Sequence, residues 1–224
     1  MEHASALLLA RRLLDGRAYR SGGDRQAIET ELVSSRGQYE GAGTATEAWR
    51  RINPKGRIPA LSGVAGSMGG AVGVLTEATA ILFYLARTNP EANLLPQGPA
   101  AQARCLEWMN WLASNVHAMS YGQIWRVKRF ASDPDTYENI EAKGRENLRE
   151  QYAYIESLLS DGRDWAVPSG FSIVDPYLLV FYQWGQRIGV DMRLQFPFWS
   201  AHTDRLLLRP AVRRVLETEG IAIK

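Results

Sequence analysis

The hydrophobic positions of this chain follow one pattern before residue 95 and another after it. In the first part, short apolar runs stand between turn residues, and Ile58–Leu61 and Ala71–Leu75 are predicted to be strands. The residues between them, 62–70, are rich in Gly and Ser and predict a loop longer than a simple hairpin turn requires. This part therefore indicates a small α/β domain.

After residue 100 the apolar residues recur at helical spacing, and no strand pattern remains. The segment 174–188 is apolar on nearly all sides, which predicts the buried central helix of a bundle. Predicted helices cover 100–117, 135–160, 174–188 and 210–219. The second part of the chain therefore indicates an all-α domain.

A segment with three prolines, residues 89–99, separates the two patterns and is predicted to be a linker. The predicted organisation is an α/β domain over residues 16–88, this linker, and a helical domain over residues 100–224. Residues 1–15 are predicted to be an N-terminal extension.

Composition narrows the class of protein. The formal net charge is +2 and the basic residues are spread along the chain, so nothing favours a nucleic acid as partner. With the single Cys105, no disulfide can form within the chain, which fits a reducing compartment. No apolar run is long enough to span a bilayer, and Arg11 and Arg12 follow the first apolar patch, which argues against a signal peptide. We therefore expect a cytoplasmic protein with no membrane partner and, since no cluster has metal-ligand spacing, no metal.

Two neighbouring motifs carry the functional signal. The first is Asn-Pro-Lys-Gly-Arg-Ile-Pro-Ala-Leu, residues 53–61, in which a proline interrupts a short strand. A cis Ile58-Pro59 bond would turn the backbone of Ile58 toward a ligand. The second is Leu-Thr-Glu-Ala-Thr-Ala-Ile-Leu-Phe-Tyr-Leu, residues 75–85, a strand end followed by a helix start, whose free N–H groups suit an anion. Two backbone anchors in tandem suit a small peptide-like ligand.

These motifs resemble the glutathione-site signature of the glutathione S-transferase family, and of its bacterial, beta-class members in particular. The first motif matches fully, whereas the second has Ala78 where the family usually has serine. A third similarity is Ser172-x-x-Asp175, which predicts a capping box with Asp175 reaching back from the helix start. The resemblance covers roughly residues 37–224. It implies a thioredoxin-like N-terminal domain followed by a helical-bundle C-terminal domain, and a homodimer.

The resemblance also implies a set of site residues. Ile58 and Pro59 would pair with the cysteinyl backbone of glutathione, and Glu77 and Ala78 would meet its γ-glutamyl end. Lys55 would pair with the glycyl carboxylate, and three residues of the helical domain would line a pocket for an apolar co-substrate. The remaining predicted glutathione-binding residues are Lys55 and Arg57, and the predicted pocket residues are His117, Tyr121 and Trp125.

The N-terminal register has two solutions. In the preferred one, residues 17–23 form the first strand and its loop, which makes Tyr19 and Ser21 the candidate catalytic residues that would donate to the glutathione sulfur. In the other, residues 4–10 form the first element and residues 17–30 are an insertion. In the first register the cysteine position of bacterial members falls on Arg25, so the catalytic loop diverges from the family pattern.

The resemblance implies a detoxification enzyme. Glutathione, as co-substrate, would attack an apolar electrophile through its thiolate and form a thioether. The alternative is a non-catalytic binding or assembly module on the same fold, which the divergent loop and Ala78 favour. Glutathione-dependent reduction or isomerisation is a third possibility, although the missing active-site cysteine disfavours thiol–disulfide exchange.

Overall fold

The computed structural model describes Thr44 and residues 46–223 of the 224-residue chain. These residues divide into two compact units. The first consists of the described residues up to 94 together with 208–223, and the second consists of residues 95–207. The last helix is thus grouped with the first unit, whereas the sequence pattern assigned residues 100–224 to one helical domain.

The first unit contains a two-stranded hairpin followed by a helix. Helix α1 (Glu47–Ile52) leads into strand β1 (Ala60–Ser62), which pairs antiparallel with strand β2 (Val74–Thr76). Ala60 lies opposite Thr76 and Ser62 opposite Val74. Helix α2 (Ala78–Thr88) begins directly after β2, and a short 3₁₀ turn (Pro90–Ala92) follows it.

Both strands are shorter than the sequence predicts, and glycine and proline account for the difference. Pro59 has no N–H to donate, so β1 begins only at Ala60. The Ile58-Pro59 bond is cis, as one of the sequence expectations had it. Gly73 has φ +81° and exchanges hydrogen bonds with the loop, through Val64 N–H and Gly66 C=O, so β2 begins only at Val74. The predicted long loop between the strands is confirmed.

The second unit is helical in all its regular elements. Helix α3 (Pro99–Trp111) continues into a π-helical segment (Leu112–Tyr121) and then helix α4 (Gly122–Trp125). Two 3₁₀ turns (Val127–Arg129 and Pro134–Thr136) lead to the long helix α5 (Tyr137–Leu159). Helices α6 (Val174–Arg187), α7 (Met192–Gln195) and α8 (Pro197–Leu207) complete it. Helix α9 (Pro210–Glu219) belongs to the first unit and has its predicted bounds.

Helix α6 is the centre of the second unit. Nearly every residue from Val174 to Gly185 is buried, as its continuous apolar pattern predicts. Its start is the predicted capping box: the Asp175 carboxylate accepts the Ser172 N–H at 2.7 Å, and the Ser172 hydroxyl accepts the Val174 N–H at 3.3 Å. Within the described residues, no helix is both long and apolar enough to cross a membrane.

Candidate functional site

The turn before β1 is held by buried polar side chains. The side chain of Asn53, 1% exposed, donates to the Arg57 carbonyl at 2.6 Å and accepts the Lys55 N–H at 3.2 Å. The indole N–H of Trp49, on α1, donates to the same Arg57 carbonyl at 3.2 Å. Gly56 has φ +61°, and a Cβ there would lie 3.1 Å from the Thr44 carbonyl oxygen. The Asn-Pro-x-Gly sequence is thus explained by a buried amide that organises the turn and a glycine that closes it.

The strand register brings the two predicted backbone anchors together. Because Ala60 pairs with Thr76, the Ile58-Pro59 peptide and the Glu77–Ala78 corner lie next to each other at the same end of the hairpin. Lys55, in the turn before β1, contacts the second anchor, because its ammonium donates to the Thr76 hydroxyl at 2.6 Å and pairs with the Glu77 carboxylate. Five of the six predicted glutathione-binding residues are therefore placed by these contacts, and the sixth, Arg57, presents an exposed side chain from the turn.

Glu77 has an unusual backbone conformation at the start of α2. Its backbone φ is +73°, in the region that residues other than glycine rarely adopt. Its carboxylate makes no capping hydrogen bond to the helix. The Ile81 N–H reaches the Glu77 carbonyl at 3.0 Å, whereas the first-turn N–H groups before it have no intrahelical partner. Such a corner leaves donor groups of the helix start available to an anion.

The predicted pocket residues of the second unit lie on or next to the π-helical segment. The Gly122 N–H bonds to the His117 carbonyl, five residues earlier, which marks the π-helical spacing. The wider turns change which side chains face inward: Ser120 is fully buried and donates to Gln151 at 3.0 Å, whereas Met119 is 47% exposed. A helix of this kind is often found at functional sites.

An aromatic cluster surrounds these residues. Trp184 of α6 lies against three of them, with ring-centroid distances of 5.5 Å to His117, 5.0 Å to Tyr121 and 5.1 Å to Trp125. The Arg187 guanidinium lies 5.4 Å from the centre of the Trp125 ring. His117 and Trp125 are half-buried, so each presents part of its surface to solvent.

Tyr121 differs from its two neighbours because it is 1% exposed. Its hydroxyl lies 2.6 Å from that of Tyr152, which itself donates to the Phe181 carbonyl, so Tyr121 is the donor of the tyrosine pair. Burial, reinforced by the Tyr121 hydroxyl, holds the pKa of Tyr152 well above its usual range. Tyr121 therefore supports the Trp125 ring from within the core.

The chain is similar to known glutathione S-transferases in sequence and in fold. No family model matches the sequence. The chain is 29% identical over 171 residues to glutathione S-transferase GstA of Escherichia coli O157:H7, covering 76% of this chain and 77% of that protein. It is 26% identical over 172 residues to glutathione S-transferase GST-4.5 of Xanthomonas campestris pv. campestris, covering 76% of this chain and 79% of that protein. A crystal structure of a glutathione transferase homologue from Sulfitobacter with bound glutathione superposes with a TM-score of 0.74 at 26% identity, covering 98% of this chain and 93% of that one.

These similarities support an assignment of the chain to the glutathione S-transferase family. The predicted fold, a thioredoxin-like domain followed by a helical domain, is confirmed by this structural similarity. Tyr19 and Ser21, the predicted catalytic residues, lie outside the described residues, as do both solutions for the N-terminal register. The assignment of individual site residues stays a prediction.

Sequence reasoning missed Trp49, Asn53 and Thr76 as parts of the site. Asn53 had a signal, because an asparagine before Pro-x-Gly is a common turn former. Trp49 and Thr76 had none, because their roles depend on bonds to Arg57 and Lys55, which the hairpin and turn bring close. Cys105 is a core residue: it is fully buried, and burial raises the pKa of its thiol to about 11.

Proposed function

We propose that this chain is a glutathione transferase. Glutathione binds in the first unit, and its thiolate sulfur attacks an electrophilic carbon of an apolar substrate. A carbon–sulfur bond forms while a leaving group such as chloride departs with its electron pair, and the thiol proton passes to solvent. The observation that carries the proposal is the strand register, which sets the Ile58-Pro59 peptide beside the Glu77–Ala78 corner.

The peptide groups of glutathione match these anchors. The N–H and C=O of Ile58 would exchange hydrogen bonds with the cysteinyl residue, as an added strand does at a sheet edge. The γ-glutamyl carboxylate would accept the Ala78 N–H at the start of α2, where the helix dipole favours a negative charge. The Glu77 carboxylate would pair with the γ-glutamyl ammonium, and Arg57 with the glycyl carboxylate.

Lys55 has a competing partner in this arrangement. Its ammonium is already shared between Thr76 and Glu77, so it pairs with the glycyl carboxylate only by exchanging one exposed ion pair for another. Exposed ion pairs contribute little, about 0–1 kcal/mol, so this exchange is close to neutral in free energy. Lys55 therefore contributes to glutathione affinity less than the backbone anchors do.

The thiolate and the co-substrate require two further groups of residues. We assign Tyr19 or Ser21 as the hydroxyl that donates to the sulfur and lowers the pKa of the thiol. We assign His117 and Trp125 to the apolar co-substrate, with Tyr121 supporting the Trp125 ring from below. A planar, electron-poor aromatic electrophile suits this electron-rich cluster.

The cellular setting follows from the same proposal. We infer a cytoplasmic detoxification enzyme that works as a two-fold homodimer and needs no metal, as glutathione transferases generally do. Size-exclusion chromatography with light scattering tests the homodimer, which should have twice the mass of one chain. A monomeric mass at micromolar concentration contradicts it.

The test of the activity joins calorimetry with a conjugation assay. Wild type, Tyr19→Phe and Ser21→Ala are titrated with glutathione, and each is then assayed with 1-chloro-2,4-dinitrobenzene. We expect all three to bind glutathione and one variant to lose most of its turnover, which identifies the thiolate donor. Binding without turnover across a panel of electrophiles would favour the non-catalytic module, which the relatives do not favour. No binding at millimolar glutathione by the folded protein contradicts the proposal.

A further inference from the structure

One backbone carbonyl in the turn before β1 accepts two buried side-chain donors. The Arg57 C=O receives the Asn53 amide N–H at 2.6 Å and the Trp49 indole N–H at 3.2 Å. Both donor side chains are 1% exposed, whereas the Arg57 side chain is exposed to solvent. A carbonyl held by two buried donors has little freedom to rotate, so these bonds fix the orientation of one peptide unit.

The orientation of the Asn53 amide is itself determined by its neighbours. Its oxygen accepts the Lys55 N–H at 3.2 Å, so the NH₂ group must face the Arg57 carbonyl. The donor therefore cannot flip away without losing two hydrogen bonds. The Trp49 ring is likewise locked, because it is packed in the core and its only polar atom points at the same carbonyl.

The fixed peptide unit is the one that carries the Ile58 N–H. A trans peptide is planar, and its C=O and the following N–H point in opposite directions. With the Arg57 C=O directed into the core, the Ile58 N–H is directed away from it. None of the residues that the structure describes accepts a hydrogen bond from this N–H.

We propose that Trp49 and Asn53 are positioning residues that aim the Ile58 N–H at the cysteinyl carbonyl of glutathione. The inference rests on the proposed function, since it assumes that glutathione pairs with Ile58. It adds a specific consequence: Trp49 and Asn53 act on one hydrogen bond of the ligand, although neither touches it. Ligands without the cysteinyl carbonyl gain nothing from them.

The test compares two ligands on the full chain by calorimetry. Glutathione has the cysteinyl carbonyl, and γ-glutamylcysteamine keeps the γ-glutamyl group and the thiol but lacks it. Trp49→Phe keeps a buried aromatic ring but removes the N–H donor together with the five-membered ring of the indole, a loss of volume that the control below matches. We expect this variant to bind glutathione about fivefold more weakly, as the loss of one well-aligned hydrogen bond would give, and to bind γ-glutamylcysteamine as wild type does.

Trp199→Phe is the matched control. Trp199 is fully buried in the second unit, and its indole N–H has no partner among the described residues, so the same change removes no hydrogen bond. Its affinity for both ligands should equal that of wild type. Asn53→Asp is the second variant, which leaves Trp49 in place and removes the amide donor, and it should show the same split between the two ligands.

The outcomes separate this inference from the proposed function. If wild type does not bind glutathione, the proposed function fails and the inference fails with it. If wild type binds glutathione and both Trp49→Phe and Asn53→Asp bind it as tightly as wild type does, only the inference is overturned. An equal loss for both ligands also overturns it, because a general loosening of the turn, unlike the loss of one aimed donor, affects every ligand of the site.

Discussion

The Asp175 carboxylate lies 2.8 Å from Nε2 of His202, and both side chains are almost completely buried. The same carboxylate accepts the N–H groups of Ala166 and Ser172, at 2.8 and 2.7 Å. It thus joins the start of α6, the preceding loop and helix α8 in one buried network. Removing an acceptor there leaves donors unpaired away from water.

Asp175→Asn should therefore destabilise the protein strongly. The amide keeps one oxygen, but its NH₂ group cannot accept, so at least one buried donor loses its partner. We expect the free energy of unfolding to fall by about 3 kcal/mol, measured by denaturant titration. Asp191→Asn is the control, since Asp191 caps the exposed start of α7 through Leu194 N–H and asparagine caps equally well. Equal effects of the two changes would contradict the role of the network.

Cys105 gives a prediction at alkaline pH. Burial raises the pKa of its thiol from 9.0 to about 11. The unfolded chain loses this proton first, so the folded state holds more protons between those values and its stability falls as pH rises through them. Cys105→Ala removes this contribution. The unfolding free energy of the variant should therefore fall less steeply with pH than that of wild type, and the two slopes should differ by up to about 1.4 kcal/mol per pH unit.

The measurement is the difference in unfolding free energy between wild type and Cys105→Ala from pH 8 to pH 11. Using the difference removes the contribution of buried Tyr152 and Tyr177, whose pKa values burial also raises. Parallel profiles would show that the thiol titrates alike in both states. The native thiol should also resist alkylation at pH 8, whereas the unfolded chain should react fully.

Gly144 allows helix α5 to approach the π-helical segment closely. A Cβ at this position would lie 2.7 Å from Cβ of Gln123 and 3.1 Å from the Ser120 carbonyl oxygen. Alanine usually stabilises a helix interior by about 1 kcal/mol relative to glycine. Here we expect Gly144→Ala to destabilise by about 2 kcal/mol, because two backbones must separate. Thermal unfolding measures the effect, and Lys143→Ala, on the exposed face of α5, is the control. A stabilised Gly144→Ala variant would contradict the close contact.

Ala78 offers a gain-of-affinity test of the glutathione site. It is the first residue of α2, and the family usually has serine there. Ala78→Ser adds one hydroxyl beside the proposed position of the γ-glutamyl carboxylate, and we expect about fivefold tighter binding of glutathione by calorimetry. Ala142→Ser, on the exposed surface of α5, should leave the affinity unchanged. An unchanged affinity of Ala78→Ser would place the carboxylate elsewhere.

The sequence predicted elements best where local patterns determine them. The bounds of α9 and α6 follow from an N-terminal proline, a capping box and continuous apolar periodicity, all of which are local. The two strands were predicted too long because a proline without an N–H and a positive-φ glycine shorten them. Helix α3 was predicted to run to His117, but its hydrogen-bond pattern changes at Leu112, and no single residue type marks such a change.

The candidate site was predictable in its motif residues but not in their connections. Ile58, Glu77 and Ala78 stood out because the spacing of turn, strand and helix start is visible in the sequence. That Lys55 reaches Thr76 and Glu77 depends on the register between β1 and β2, which the sequence does not specify for a loop of this length. The hydroxyl of Tyr121 bonds to that of Tyr152, which is thirty-one residues away in the sequence.

The π-helical segment also affects how this chain is aligned with others. Its hydrogen bonds join residues five apart, so each of its turns holds more residues than an α turn. Leu112–Tyr121 therefore form fewer turns than the same residues would in an α-helix. A relative that is α-helical throughout this stretch needs fewer residues to connect α3 to α4. A correct alignment with such a relative contains a gap inside the helix, and an ungapped one pairs the inward Ser120 with an outward position.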